Sequence, residues 1–152
     1  MDLTKAAVLG AGSWGTALAL TLADRGLDVI LYGNEEAICE DVNANRRNSR
    51  YLPEIELPEG ITASVQIGDL ADREFILLVV PSQVARIVLQ QLAAVGISED
   101  AILVSCTKGI DPETGELMHE LLDEFFPANP IAVLSGPSHA EEVARRMATS
   151  RS

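Results

Sequence analysis

Three glycines, Gly10, Gly12 and Gly15, stand in the spacing G-x-G-x-x-G. They lie between the apolar run Ala6-Ala7-Val8-Leu9 and an Ala/Leu-rich run that continues to about Ala23. Buried strand, glycine turn and helix, in that order, are the context in which this spacing cradles a dinucleotide. Gly10 permits the tight turn, Gly12 lets the backbone approach a pyrophosphate, and Gly15 lets the helix pack close to the strand. The helix N-terminus then offers unpaired N–H groups and a positive dipole end to the phosphates. Small residues also serve plain helix–strand packing, and that is the competing explanation for the spacing.

Two further residues carry chemistry. Lys108, between Thr107 and Gly109, is placed to bind an anionic or carbonyl oxygen; a solvated surface lysine is its bland alternative. Asn34 follows the second apolar run, where a standard NAD site has an Asp or Glu for the adenosine ribose hydroxyls; Glu35 comes one step later. An amide there serves a ribose hydroxyl or a 2′-phosphate, which leaves NAD and NADP both open, and a loop or N-cap role is the other reading.

The elements that must position these residues alternate strand and helix, the pattern of an α/β, doubly wound, mostly parallel sheet with helices on both faces. Gly26 closes the first helix as a C′ residue. Asp28–Tyr32 reads as the second strand, and Glu35-Glu36 as an acidic helix start. Residues 43–58 break the alternation with Asn45-Arg46-Arg47-Asn48-Ser49-Arg50-Tyr51-Leu52-Pro53. Such an insertion is usually a surface connection, but it is also the one cluster of positive charge, open to a phosphate. Ile61–Val65 reads as a short strand, 67–72 as a helical turn, and Glu74–Val80 as a central strand stopped by Pro81.

Ser82-Gln83 begins a helix with Val84, Ile87, Val88 and Leu92 on one apolar face. Ala101–Ser105 is the next strand, Glu113–Phe126 a helix with Leu117, Leu121, Leu122 and Phe125 toward the core, and Pro130–Leu134 a further strand. Ser138 and Glu141 form a capping-box pattern. Because ligands bind outside the carboxyl ends of strands in such sheets, the segments at Gly10–Gly15, Asn34, Pro81-Ser82, Lys108 and Gly136-Pro137-Ser138 converge on one expected site.

Composition narrows the classes. The 152 residues fit one domain. A net charge of −12 argues against nucleic acid or an anionic membrane as partner, though not against a small anionic ligand. No apolar run approaches the length of a membrane span, and the N-terminus lacks the features of a signal peptide. Cys39 and Cys106 lie far apart without metal spacing, which suits a reducing cytosol and a cytoplasmic location, and no metal site is expected. His119 reads as surface or core edge, His139 as a capping residue and Cys106 as a small buried residue.

Gly10-Ala11-Gly12-Ser13-Trp14-Gly15-Thr16-Ala17-Leu18-Ala19, Tyr51-Leu52-Pro53, Val80-Pro81-Ser82-Gln83, Thr107-Lys108-Gly109-Ile110 and Leu134-Ser135-Gly136-Pro137-Ser138-His139-Ala140 occur in this order. Together they closely resemble the bacterial NAD(P)-dependent glycerol-3-phosphate dehydrogenases, to about Met147. The resemblance implies a Rossmann-type cofactor domain over residues 1–152. It also implies hydride exchange between NAD or NADP and C2 of dihydroxyacetone phosphate or sn-glycerol 3-phosphate, feeding glycerophospholipid synthesis. By the same resemblance Ser13, Trp14, Asn34, Tyr51, Lys108 and Ala140 join Gly10, Gly12 and Gly15 at the cofactor, and Lys108, Gly136 and Ser138 meet the phosphorylated substrate. Many relatives carry Arg or His after the second strand, where this chain has Asn34.

Family members are roughly twice as long, with an all-helical second domain that supplies the acid–base lysine. This chain is therefore expected to be the cofactor half of a homodimeric parent, without a catalytic proton donor of its own and inactive by itself. The alternatives are a related hydroxy-acid dehydrogenase and a non-catalytic NAD(P)-binding module.

Overall fold

The structure is a computed structural model that describes residues 3–134. Gly136, Ser138, His139, Ala140 and Glu141 lie outside them. Six strands form one sheet: β1 (Lys5–Leu9), β2 (Asp28–Tyr32), β3 (Ile61–Ser64), β4 (Phe75–Leu78), β5 (Ile102–Ser105) and β6 (Ile131–Val133). Their order is β3-β2-β1-β4-β5-β6, and every pairing is parallel. Helices α1 (Ser13–Asp24), α2 (Glu36–Asn45), α3 (Ser82–Val95) and α4 (Met118–Phe125), with a 3₁₀ turn at Ile67–Leu70, supply the connections. This order is the doubly wound Rossmann arrangement, whose strand order reverses between β1 and β4.

Strand β1 shows why the apolar runs are continuous rather than alternating. Ala6 and Val8 enter the core beneath α1 and α2, while Ala7 and Leu9 enter the core beneath α3 and α4. A strand covered on both faces has no polar side to display. Helix α1 ends as the sequence predicts: Gly26 takes φ +90°, its N–H donates to Ala23, and that of Leu27 donates to Leu22. This pair of bonds is a Schellman motif.

Three expectations are corrected. The core face of α3 is Ala85, Leu89 and Leu92, whereas Val84 and Ile87 are 41% and 57% exposed. The helix is apolar around much of its girth, so periodicity alone does not select the stripe that docks. Helix α4 starts at Met118, not Glu113. Residues 110–117 instead form a small hairpin closed by an Ile110–Leu117 bridge, with Gly115 at φ +77°, a conformation that no right-handed helix continues. Leu117 is left half exposed at the helix N-cap. Residues 43–58 are more than a surface connection, since Leu52, Ile55 and Leu57 are buried in the α1/α2 core.

Candidate functional site

The glycine turn lies where the strand order reverses. The Gly10 N–H donates to the Tyr32 carbonyl of β2, and that of Val79 to the Leu9 carbonyl of β1. At Gly10 the backbone has φ +130°, and a Cβ would meet the Val79 carbonyl carbon and the Val80 nitrogen at 3.0 Å. At Gly15 a Cβ would lie 1.8 Å from the Gly10 carbonyl oxygen and 3.5 Å from Val8 Cγ1. Turn and helix–strand packing therefore explain these two glycines.

Gly12 is different. Its backbone is extended, and a Cβ would meet nothing within 4 Å. The space over its backbone is open, so a ligand could rest directly on the turn. Gly12 is also the N-cap of α1, and the N–H of Thr16 is the first to bond back, to its carbonyl. The amides of the first turn thus face outward at the positive end of the helix. A backbone surface free of Cβ at a helix N-terminus fits a pyrophosphate.

The 46–58 segment forms one wall of this cradle. Asn48 is buried and donates its amide to the Ala11 carbonyl and to Thr16 Oγ1, each at 2.9 Å. Ser13 Oγ donates to the Tyr51 carbonyl at 3.2 Å, and half-buried Trp14 and Tyr51 pack against the α1/α2 core. Arg46 donates to the carbonyls of Leu57, Pro58 and Ile61, and Arg47 to that of Pro53. Arg46 is thereby committed to folding the loop. Nothing in composition or spacing singles out Asn48, whose partners are 37 and 32 residues away.

At the end of β2, Gly33 packs so tightly that a Cβ would approach Ala11 Cβ at 2.9 Å. Asn34 is exposed and its side chain bonds to no described residue. The helix N-cap is Glu35, without a side-chain cap bond, which corrects the N-cap reading of Asn34. On the other side of the switch point, Thr107 Oγ1 lies 3.1 Å from the Leu78 carbonyl and 2.7 Å from the Val80 carbonyl, fastening the end of β5 to that of β4. Gly109, at φ +105°, rests against Ser82, where a Cβ would sit 3.3 Å from Oγ. Lys108 stands between these anchors, exposed and without a hydrogen bond or ion pair to any described residue.

The loop beyond Lys108 is pinned from below. Arg86 donates to Asp111 Oδ2 at 3.0 and 3.1 Å and pairs with Glu113, Glu116 and Glu124. Asp111 is itself buried, and Thr114 donates to it through both N–H and hydroxyl. Burial acts to raise the Asp111 carboxyl, but the Thr114 and Arg86 bonds outweigh it and hold it below its ordinary value. Cys106, beneath the same strand end, is a buried thiol pushed up to about 12 by desolvation, so it is an inert packing residue rather than a nucleophile.

A groove of about 540 Å³ between α4 and β6 is lined by Glu116, His119, Glu120, Asp123 and Glu124. Its acidic lining has the wrong sign for a phosphate. Exposed His119 belongs to that face and not to the strand ends. Among the described residues no cluster of His, Cys, Asp and Glu could hold a metal, and no helix is long and apolar enough to cross a membrane.

Comparison with known proteins matches the geometry. A family model described as the NAD-dependent glycerol-3-phosphate dehydrogenase N-terminus matches residues 5–152. The glycerol-3-phosphate dehydrogenase [NAD(P)+] of Bacillus cereus (strain G9842) is 45% identical over 151 residues, 97% of this chain and 44% of that protein. The crystal structure of glycerol-3-phosphate dehydrogenase from Coxiella burnetii superposes with a TM-score of 0.87 at 37% identity, covering 95% of this chain and 44% of that one. The Saccharomyces cerevisiae enzyme gives a TM-score of 0.83 at 26% identity over 95% and 45% of the two chains. The chain thus spans 44% of the length of the curated relatives it matches.

Proposed function

Because the chain belongs to the family of the NAD-dependent glycerol-3-phosphate dehydrogenase N-terminus, we propose that it is the cofactor-holding half of an enzyme interconverting sn-glycerol 3-phosphate and dihydroxyacetone phosphate. The observation that supports this reading is Gly12, which leaves an open backbone surface without a Cβ at the N-terminus of α1, where a pyrophosphate would rest. The nicotinamide cofactor supplies the hydride chemistry. The residues of this chain bind and orient. Gly10, Gly12, Ser13, Trp14 and Gly15 present the turn, Asn34 stands at the ribose end, and Tyr51 belongs to the wall over the turn.

Lys108, exposed at the carboxyl end of β5, is positioned to attract the phosphorylated ketone and to favour negative charge on its oxygen. Gly136 and Ser138 are proposed to meet the substrate and Ala140 the cofactor, on the resemblance alone. A cytoplasmic setting, a homodimeric parent and a proton-donating group in the second half of the enzyme belong to the same proposal.

Trp14, the only tryptophan of the chain, lies within the glycine segment and reports on it directly. Titration with NADH and NADPH should quench its emission to saturation, alongside a parallel rise in nicotinamide fluorescence. A folded chain that gives no saturable change with either cofactor would overturn the proposal.

A further inference from the structure

At the carboxyl end of β2, Arg50 Nη1 lies 2.6 Å from Glu35 Oε2. The Arg50 guanidinium also stands over the Tyr51 ring, 5.3 Å from its centroid. Glu35 is the N-cap of α2, three residues past the end of the strand, and the Tyr51 carbonyl accepts from Ser13 in the first turn of α1. Arg50 and Tyr51 together therefore link the tip of β2 to the first turn of α1. In this sheet order, that tip is where an acid receives the ribose hydroxyls of NAD, or an arginine receives the 2′-phosphate of NADP. Here both groups are present, and they are paired with each other.

Resting on the dinucleotide site proposed above, we infer that Glu35 and Arg50 set the choice between NAD(H) and NADP(H) by exchanging partners. With an unphosphorylated ribose the pair stays closed, and Glu35 keeps its second oxygen, Oε1, for the hydroxyls. With a 2′-phosphate, Arg50 leaves Glu35 and takes the phosphate in its planar fork.

Three observations support the exchange. The pair is open to solvent, with side chains 61% and 44% exposed, and an ion pair in water is held weakly. Stacking on Tyr51 occupies the face of the guanidinium and leaves its N–H edges available when Glu35 is released. Arg46 and Arg47 of the same loop donate to backbone carbonyls, whereas Arg50 is held by a charge that a dianion can outbid. Glu35 left beside the phosphate repels it, so the gain from Arg50 is partly offset and the unaltered chain should discriminate little between the cofactors.

The test is a Trp14 and nicotinamide fluorescence titration of the chain and its variants with NADH and NADPH. Adenosine 2′,5′-bisphosphate and adenosine 5′-monophosphate serve as competitors. Arg50→Gln should weaken NADPH about tenfold while NADH changes less than about twofold. Glu35→Gln should tighten NADPH by about threefold to tenfold and leave NADH unchanged or slightly weaker. The bisphosphate should follow NADPH, and the monophosphate NADH. Arg50→Lys, which keeps the charge without the fork, should fall between wild type and Arg50→Gln and guards against a fold defect in the latter. Equal effects on both cofactors, or none on either, would overturn the exchange while leaving the dinucleotide site standing. A wild-type chain that binds neither cofactor would overturn both.

Discussion

Asn48 Nδ2 lies 2.9 Å from Thr16 Oγ1, and both side chains are buried. The contact joins a loop between α2 and β3 to the first turn of α1, and the same amide reaches the Ala11 carbonyl. Removing the donor leaves the buried Thr16 hydroxyl and the part-buried Ala11 carbonyl without it. Asn48→Ala should cost about 1–3 kcal/mol of stability, read as the urea midpoint, and should also weaken NADH because the wall over the glycine turn loosens. An unchanged midpoint would show that the loop is held by its apolar residues alone.

The glycines separate folding from binding. Gly12→Val places its Cβ where the protein has open space, so the domain should stay folded, with only a modest N-cap penalty of about 1 kcal/mol, while NADH binding is lost. Gly15→Ala drives a methyl into the Gly10 carbonyl and should destabilise the domain by about 1–3 kcal/mol or more. Comparing circular dichroism melts with NADH titrations for the two variants decides the matter. Full NADH affinity in Gly12→Val would remove the turn from the site.

Asn34 is exposed and makes no side-chain bond within the described residues, so replacing it should leave stability untouched. Asn34→Asp should favour NADH over NADPH, because a carboxylate accepts well from ribose hydroxyls and repels a 2′-phosphate. The ratio of the two dissociation constants is the measurement. A ratio equal to that of the wild type would make Asn34 a turn residue only.

Acid should loosen the floor beneath Lys108. The folded pKa of Asp111 lies below its ordinary value of 3.8, so its contribution is present above that value and is lost as the pH falls through the depressed one. Asp72, held at about 2 by Arg73 and Lys5, titrates alike in wild type and an Asp111→Asn variant and cancels in the comparison. Urea midpoints should therefore fall more steeply from about pH 5 to about pH 3 in the wild type than in the variant. Parallel profiles would mean that the Arg86–Asp111 bonds contribute no pH-dependent stability.

The substrate role proposed for Lys108 can be tested directly. If the proton donor lies in the proposed second half, the chain by itself should bind NADH yet show no measurable reduction of dihydroxyacetone phosphate, since a positioned acid is worth about 10²–10⁴-fold and a closed site adds to it. In the full-length parent, Lys108→Ala should cut turnover far more than it weakens NADH binding. NADH oxidation by the chain, the parent and the variant is the assay. Robust turnover by the chain alone would place a complete catalytic site within these residues.

The local code of this protein is largely written in its sequence. Apolar runs buried on both faces, a glycine spacing between strand and helix, and Gly26 as a helix stop depend on residues within a few positions of one another. Short-range sterics and periodicity settle them, and with them the six strands and the position of the glycine turn. Lys108 at a strand end is legible for the same reason.

Contacts between distant segments were decided only in three dimensions. Ala85, Leu89 and Leu92 rather than Val84 and Ile87 join the core that holds Leu78, Leu103 and Leu121, because the docking of α3 selects one of two apolar stripes. Gly115 and the Asp111–Thr114 bonds displace the start of α4 to Met118, five residues beyond the Glu113 that reads as a helix start. Asn48 to Thr16, Arg86 to Asp111 and Arg50 to Glu35 each join residues 15 to 32 positions apart. No local preference fixes such a distance; the packing of loops onto a common sheet edge does.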